Sequence, residues 1–261
     1  MRFEGFAHVL FAIALAAVAI LGLGYGDFVP RGQPLPPWLP WREFWVHAFA
    51  VLLLLCSMAL CLPRIAPLGA AIVAIYGVVW SALCGVQIFY TPSSVSAWYG
   101  FCEALAPLIG AWILYALLRW QSRGPATLLA SEGAVRVAQL LFGLTCIFYG
   151  WSHFEYASYT AGMVPAWLPG HPGFAYATGV AHIAAGLGLA FGILPRLAGT
   201  LEAAMMSLFG LLVWVPSFFA MPKPGWATPL ANEWSELIVS VMLAATAWLV
   251  ATSLRYRPWI R

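Results

Sequence analysis

The residues of this sequence that could carry chemistry are histidines and glutamates within apolar stretches. In the second half these are His153, Glu155, His182, Glu233 and Glu236. Glu233 and Glu236 are three residues apart, so they share a face if their segment is helical. Imidazoles and carboxylates together can bind zinc, copper or iron, relay protons to a quinone head group, or hold the polar head group of a lipid or substrate.

Within this set we expect His153 and His182 to transfer protons or to bind a ligand, with Glu236 orienting them. The sequence has no HExxH or HxxxH spacing, so it does not select a metal. A metal ion, if present, would be held by His153 and His182. We expect the pocket to include also Glu155, Glu233 and Trp167. The same groups could instead hydrogen-bond one another and only hold helices together. Glu202, about one turn after Arg196, is expected to pair with an arginine.

The composition indicates that the solvent around most of this chain is lipid. Of its 261 residues, 63% are apolar or aromatic and 8% are charged, and the mean hydropathy is +0.87. Soluble domains carry about 25% charged residues. A soluble enzyme and a disordered chain are therefore excluded, and a net charge of +3 provides no basic patch for nucleic acid. A titratable side chain inside a membrane span is costly, so each one requires a reason.

Eight apolar runs are long enough to cross a bilayer as helices. The predicted spans are 5–24, 43–62, 67–90, 99–119, 134–153, 173–193, 198–219 and 233–254. The first run is longer than the apolar region of a signal peptide and lacks a clear cleavage site, so we predict a span there. The predicted fold class is all-α, a polytopic membrane protein with eight transmembrane helices.

The basic residues predict the orientation of these spans. If all eight cross, nine arginines fall on the side of the termini: Arg2, Arg64, Arg119, Arg123, Arg136, Arg196, Arg255, Arg257 and Arg261. Three basic residues fall on the other side: Arg31, Arg42 and Lys223. This bias predicts cytoplasmic termini. The histidine and glutamate cluster then lies toward the opposite, periplasmic side.

An internal repeat divides the chain into two four-span units. Residues 28–64 and 163–196 both contain Val-Pro, then Trp-Leu-Pro, then an apolar span that ends in Leu-Pro-Arg. Because four is even, both units enter the membrane from the same side, as parallel repeats. We predict a first four-helix repeat at 1–120, a cytoplasmic linker at 121–133 and a second four-helix repeat at 134–261.

The two repeats differ in their polar residues. In the first repeat the corresponding residues are His47 and Glu103, while Gly22 and Gly24 occupy the places of His153 and Glu155. The second repeat is therefore predicted to be the working copy.

Cysteine usage argues against disulfide exchange. The five cysteines are Cys56, Cys61, Cys84, Cys102 and Cys146, and no two form a CxxC pair. Cys84 and Cys102 both approach the periplasmic end of their spans and could form a disulfide there. Otherwise the cysteines are expected to be small buried residues.

Three motifs in the second half resemble those of the DoxX-like superfamily of bacterial membrane proteins. They are Gly-x-x-His-Phe at 150–154, Val-Pro-x-Trp-Leu-Pro at 164–169 and Thr-Gly-x-x-His-x-x-x-Gly at 178–186. The residues that carry over are His153, Trp167, Pro169 and His182. The resemblance implies a four-helix membrane bundle in the bacterial inner membrane. It also implies a link to quinone- or thiol-dependent redox systems, since the family includes such subunits.

We therefore predict a quinone- or thiol-linked redox component, with the lipid bilayer and a membrane or redox protein as partners and no nucleic acid. A quinone is the favoured cofactor and a metal ion the less favoured one. A non-enzymatic scaffold or assembly factor is the alternative, because the loops are short and the known catalytic motifs are absent. A permease for a small or lipid-like solute is the third hypothesis, suggested by the parallel repeats.

Overall fold

The structure, a computed structural model, describes residues 3–31, 33, 35–121, 127–220, 223–257 and 259. These residues form helices and no strand, and eight helical segments are long and apolar enough to cross a membrane. The chain is thus an all-α, multi-pass integral membrane protein, as predicted. Arg2, Arg123, Arg261 and residues 122–126 of the predicted linker lie outside the described residues.

The first half has four helices, and each is one span. They are α1 (Phe3–Tyr25), α2 (Arg42–Leu60), α3 (Ala66–Tyr90) and α4 (Val95–Gln121). The second half contains α5 (Glu132–Glu155), the short α6 (Ala157–Met163), α7 (His171–Phe191), α8 (Pro195–Phe209), α9 (Val215–Phe219) and α10 (Leu230–Ser253). Helices α8 and α9 are two parts of the seventh span.

The helix starts follow from local sequence. Ser131 precedes α5, and its side chain accepts a hydrogen bond from the backbone N–H of Ala134 at 3.2 Å. Prolines occupy the first turns of α3, α7 and α8, where their missing N–H groups leave no bond unmade. Gly192, with φ of 71°, ends α7 in the left-handed conformation that glycine adopts without strain.

The two halves are joined through shared helix contacts. Each spanning helix packs against the next one along the chain, α1 also packs against α10, and α4 packs against both α5 and α10. Each contact within the first half has a counterpart four spans later, which is compatible with a tandem repeat. The duplication and the division near the linker stay predictions, because sequential packing alone does not separate two bodies.

Helices α5 and α7 approach each other closely because glycines face one another. A methyl group added at Gly150 would lie 2.5 Å from the carbonyl oxygen of Gly179, and one added at Gly186 would lie 2.5 Å from that of Gly143. These glycines recur every seven residues on each helix, which gives both helices a smooth face. Small residues allow this close packing in membranes. The contact places residues of α5 directly against the middle of α7.

The seventh span is interrupted by a π-helical turn, Gly210–Trp214. Pro216 follows in the first turn of α9 and lacks the N–H group that a regular helix would use. Such turns are frequent at functional sites. Here the turn widens the span beside the cavity described below.

We predict that Gly186→Ala destabilises the protein, because its methyl group would overlap the backbone of α5. Overpacking of this kind costs about 1–3 kcal/mol in the free energy of unfolding. Gly173→Ala is the matched control on the same helix, since nothing lies within 4 Å of the added methyl group. Unfolding in mild detergent measures both. Equal stability of the two variants would contradict the close approach of α5 and α7.

Candidate functional site

A cavity of about 740 Å³ opens between α5, α7, the seventh span and α10. Its apolar wall is rich in aromatic and methionine side chains, among them Phe174, Met205, Met206, Phe209, Leu212 and Trp214. Polar groups interrupt this wall, among them Arg31, Tyr99, Tyr149, His153, His182 and Glu236. Pockets of about 300–1,000 Å³ with apolar walls and few polar groups are typical of small-molecule sites.

The structure brings His153 and His182 together in this cavity. Their ring centroids are 5.1 Å apart, and the Phe209 ring lies 5.8 Å from each. His182 is 1% exposed and lies 11 residues after the start of α7 and 9 before its end. At 1.5 Å per residue it is about 16 Å and about 14 Å from the two helix ends. His182 is therefore near the middle of its membrane span, and His153 reaches it from the end of α5.

His182 is paired with Glu202 on α8. The distance between Nδ1 of His182 and Oε1 of Glu202 is 2.8 Å, and both side chains are 1% exposed. The expectation that Glu202 pairs with an arginine is wrong, because its carboxylate points inward to α7. Both residues lie about 10–14 Å from the helix ends on the side of the termini. Counting residues from the span ends on the side of the termini would have placed His182 and Glu202 at a similar depth, and so would have predicted their contact.

His153 is oriented by the backbone of α7. Its Nδ1 atom lies 3.2 Å from the carbonyl oxygen of Ala175 and 2.9 Å from the hydroxyl of Thr178. That hydroxyl donates to the carbonyl oxygen of Phe174 at 2.8 Å. In the tautomer that has its proton on Nδ1, this atom donates to the carbonyl oxygen of Ala175, which can only accept. The Nε2 atom of neutral His153 is then a hydrogen-bond acceptor on the opposite edge of the ring.

The charge of the pair formed by His182 and Glu202 decides whether Nε2 of His182 donates or accepts a hydrogen bond. When the pair holds one extra proton, it is neutral overall and Nε2 of His182 carries an N–H donor. When the pair has lost that proton, Glu202 keeps Nδ1 protonated and Nε2 accepts instead. A charge near the middle of a bilayer is costly, which favours the neutral pair. The two histidines therefore present one acceptor and one exchangeable donor to the cavity.

Glu236 contacts a different group from the one predicted. It forms no hydrogen bond to either imidazole among the described residues, and its Oε1 lies 2.7 Å from Nε of Arg31. Burial lowers the pKa of Arg31, but the negative charges of Glu103 and Glu236 outweigh that effect and raise it above its ordinary value. The sequence analysis missed Arg31 as a site residue, because it belongs to the first half. The available signal was that the loop containing Arg31 lies on the same side of the membrane as the predicted pocket.

The other predicted pocket residues lie away from the cavity wall. Glu155 and Trp167 are exposed, and Trp167 retains 70% of its accessible surface. Glu233 is fully buried, and its Oε2 contacts Nζ of Lys223 at 3.3 Å and the hydroxyl of Ser217 at 3.2 Å. This contact ties the loop before α10 to the seventh span.

A much smaller space lies in the first half of the chain, near the residue that the repeat aligns with His153. A space of about 10 Å³ lies between α1 and α2, and Gly22 and Phe28 are in its wall. Phe28 packs against the rings of Phe49 and Trp80 at 6.3 Å and 5.5 Å. At the place that the repeat alignment assigns to His153, Gly22 leaves only this small space, and Phe28 forms part of its wall. The predicted counterpart His47 is exposed and bonds to a backbone carbonyl at 2.7 Å.

The remaining predicted reactive groups are Glu103, the other counterpart in the first half, and the cysteines. Glu103 is 3% exposed and lies near Arg31, one helical turn after Tyr99. Cys84 and Cys102 are free thiols, as are the other cysteines. No group of three or more His, Cys, Asp or Glu side chains is placed to hold a metal within the described ranges. His153 and His182 would supply two ligands to a metal ion.

Comparisons with known proteins cover part of this region. The family model with the description "Domain of unknown function (DUF8561)" matches residues 142–251, which is less than half of the chain. The match includes both histidines, Glu202 and Glu236. No significant match was found among curated proteins or among solved structures. The resemblance to DoxX-like proteins therefore stays a prediction.

We predict that the contact between His182 and Glu202 stabilises the fold only as a pair. His182→Leu or Glu202→Leu alone leaves a buried polar partner, which costs about 3–5 kcal/mol of unfolding free energy. The double variant removes both groups and is expected to recover most of that loss. Unfolding in detergent measures all three, with the exposed Glu155→Gln as control. Additive losses in the double variant would show that the two side chains do not interact.

Proposed function

We propose that this membrane protein binds an amphipathic ring molecule of the quinone and quinol type in the cavity. His153 and His182 would exchange protons with its oxygen. The observation that carries the proposal is the imidazole pair with 5.1 Å between ring centroids in the wall of a 740 Å³ cavity. One imidazole accepts a hydrogen bond, and the other gives or takes a proton through Glu202.

The proton roles favour an oxygen that alternates between a hydroxyl and a carbonyl group. A hydroxyl group can donate to Nε2 of His153 and accept from Nε2–H of His182 while the pair with Glu202 is neutral. A carbonyl oxygen can accept from His182 alone. An oxygen bound here can therefore change its protonation state next to groups that supply or receive the proton.

The wall of the cavity and its depth favour a ligand that is dissolved in lipid. Aromatic rings and methionines provide an apolar surface for a flat ring and a tail. His182 lies about 14–16 Å from the ends of α7, inside the hydrocarbon layer, where an apolar molecule concentrates. A water-soluble substrate would have to leave its hydration shell to reach them.

The chain supplies ligand binding and proton exchange, and we propose that a redox protein partner exchanges the electrons. The resemblance to DoxX-like proteins supports a quinone-linked role in the bacterial inner membrane. Arg64, Arg119 and Arg136 lie on the side of the termini, while Arg31 and Arg42 lie on the other side. This bias supports cytoplasmic termini and a periplasmic mouth. The scaffold and permease hypotheses stay predictions, and no specific contact favours them.

We predict that a ubiquinone with a decyl tail binds saturably to the purified protein in detergent. Quenching of tryptophan fluorescence reports binding, since Trp214 lies in the cavity wall. His153→Leu and the double variant His182→Leu with Glu202→Leu are each expected to weaken binding about tenfold or more, equivalent to about 1.4 kcal/mol.

His47→Leu is the control, because this exposed histidine lies outside the cavity. It is expected to bind the probe as the unchanged protein does. Equal affinity of all variants would refute a site at the two imidazoles.

A further inference from the structure

Arg31 brings a cation from the first half of the chain into the wall of the second-half cavity. It lies in the loop between α1 and α2, and it is the one arginine or lysine among the described cavity-lining residues. Its side chain retains 42% exposure, although the Glu236 side chain beside it retains 11%. The guanidinium group is thus accessible from the cavity side.

The contacts of Arg31 leave part of its hydrogen-bonding capacity unused. Nε contacts Oε1 of Glu236 at 2.7 Å, and the backbone N–H donates to the hydroxyl of Ser235 at 3.0 Å. Neither terminal nitrogen, Nη1 or Nη2, forms a hydrogen bond to the part of the chain that the structure describes. A guanidinium group held through Nε keeps these two nitrogens in a rigid, forked arrangement that suits oxygen acceptors.

Side-chain contacts hold described residues on both sides of Arg31. The Gln33 side chain accepts from the backbone N–H of Val29 at 2.9 Å and donates to the hydroxyl of Tyr76 at 2.8 Å. Asp27 and Arg42 pair at 2.6 Å across the base of the loop. Because these residues are held before any ligand arrives, little ordering entropy is lost when Arg31 binds one.

An aromatic wall connects Arg31 to the imidazole pair. The ring of Tyr149 lies 6.0 Å from that of His182, and the ring of Tyr99 lies 5.1 Å from that of Tyr149. The guanidinium carbon of Arg31 lies 6.0 Å from the centroid of Tyr99. A ligand that lies along this wall would have the histidines at one end and Arg31 at the other.

We infer that Arg31 binds a second oxygen of the ligand, at the end of the head group away from His153 and His182. The ligand class is then a ring with oxygen substituents at opposite ends, in preference to an amphiphile with a single hydroxyl group. This inference rests on the proposed function and adds a residue that determines specificity. It also explains why the working site requires the first half of the chain.

Two probes with the same tail test this inference. Decyl-tailed ubiquinone carries oxygens at both ends of its ring, and 4-decylphenol carries one hydroxyl group. Arg31→Gln is expected to weaken ubiquinone binding about tenfold or more, as for a lost hydrogen bond to a charged group. The same change is expected to alter decylphenol binding less than about twofold, since that probe has no second oxygen.

Arg42→Gln is the matched control. Arg42 also pairs with a carboxylate and lies over an aromatic ring, Phe28 at 5.1 Å, but it is outside the cavity wall. Glu236→Gln removes the ion pair and keeps Arg31, so it is expected to weaken ubiquinone binding less than Arg31→Gln does.

Equal weakening of both probes by Arg31→Gln, or an equal loss in Glu236→Gln, would overturn the inference, because the effect would then come from the loop or the ion pair. Loss of ubiquinone binding in the histidine variants without loss in Arg31→Gln would also overturn it and would leave the proposed function intact. If neither probe binds the unchanged protein saturably, the proposed function fails and this inference fails with it.

Discussion

A hydrogen bond between an imidazole and a carboxylate, far from either membrane surface, constrains the rest of this structure. His182 and Glu202 are both 1% exposed, and their atoms lie 2.8 Å apart. Each group would be costly alone in a lipid environment, and together they are neutral when the imidazole is protonated and the carboxylate is not. Helix α8 must therefore face α7 at this depth. The glycine contact between α5 and α7 then brings His153 to the same place.

The two halves differ in their packing, and this difference indicates that the pair of His182 and Glu202 does more than hold helices together. Both halves use the same order of helix contacts, yet Phe28, Phe49 and Trp80 pack against one another in the first half, while the cavity of about 740 Å³ lies mainly among the helices of the second. A bundle that served only to hold helices together would gain from filling both, because an empty apolar space forfeits dispersion contacts. The open half instead carries the titratable groups. The closed half contributes Arg31 and supports α10 through α1.

The number of spans could be predicted from the sequence, because an apolar run of about 20 residues is typical of a membrane-spanning helix. The sequence also predicted the helical fold class, and it singled out His153 and His182 as polar rings within apolar segments, which lie together in one cavity. It did not predict the partner of His182, since spacing along the chain does not show which helices face each other. Arg31 was missed for the same reason: its contact with Glu236 spans 205 residues.

The central claim is that the cavity holds a lipid-soluble ring molecule between the two histidines. Native mass spectrometry of the protein, extracted from its own membrane in mild detergent, tests it most directly. We expect a bound mass that matches a quinone or quinol, retained in His47→Leu and lost in His153→Leu. A protein that carries no such mass, or that keeps it equally in both variants, would contradict the account.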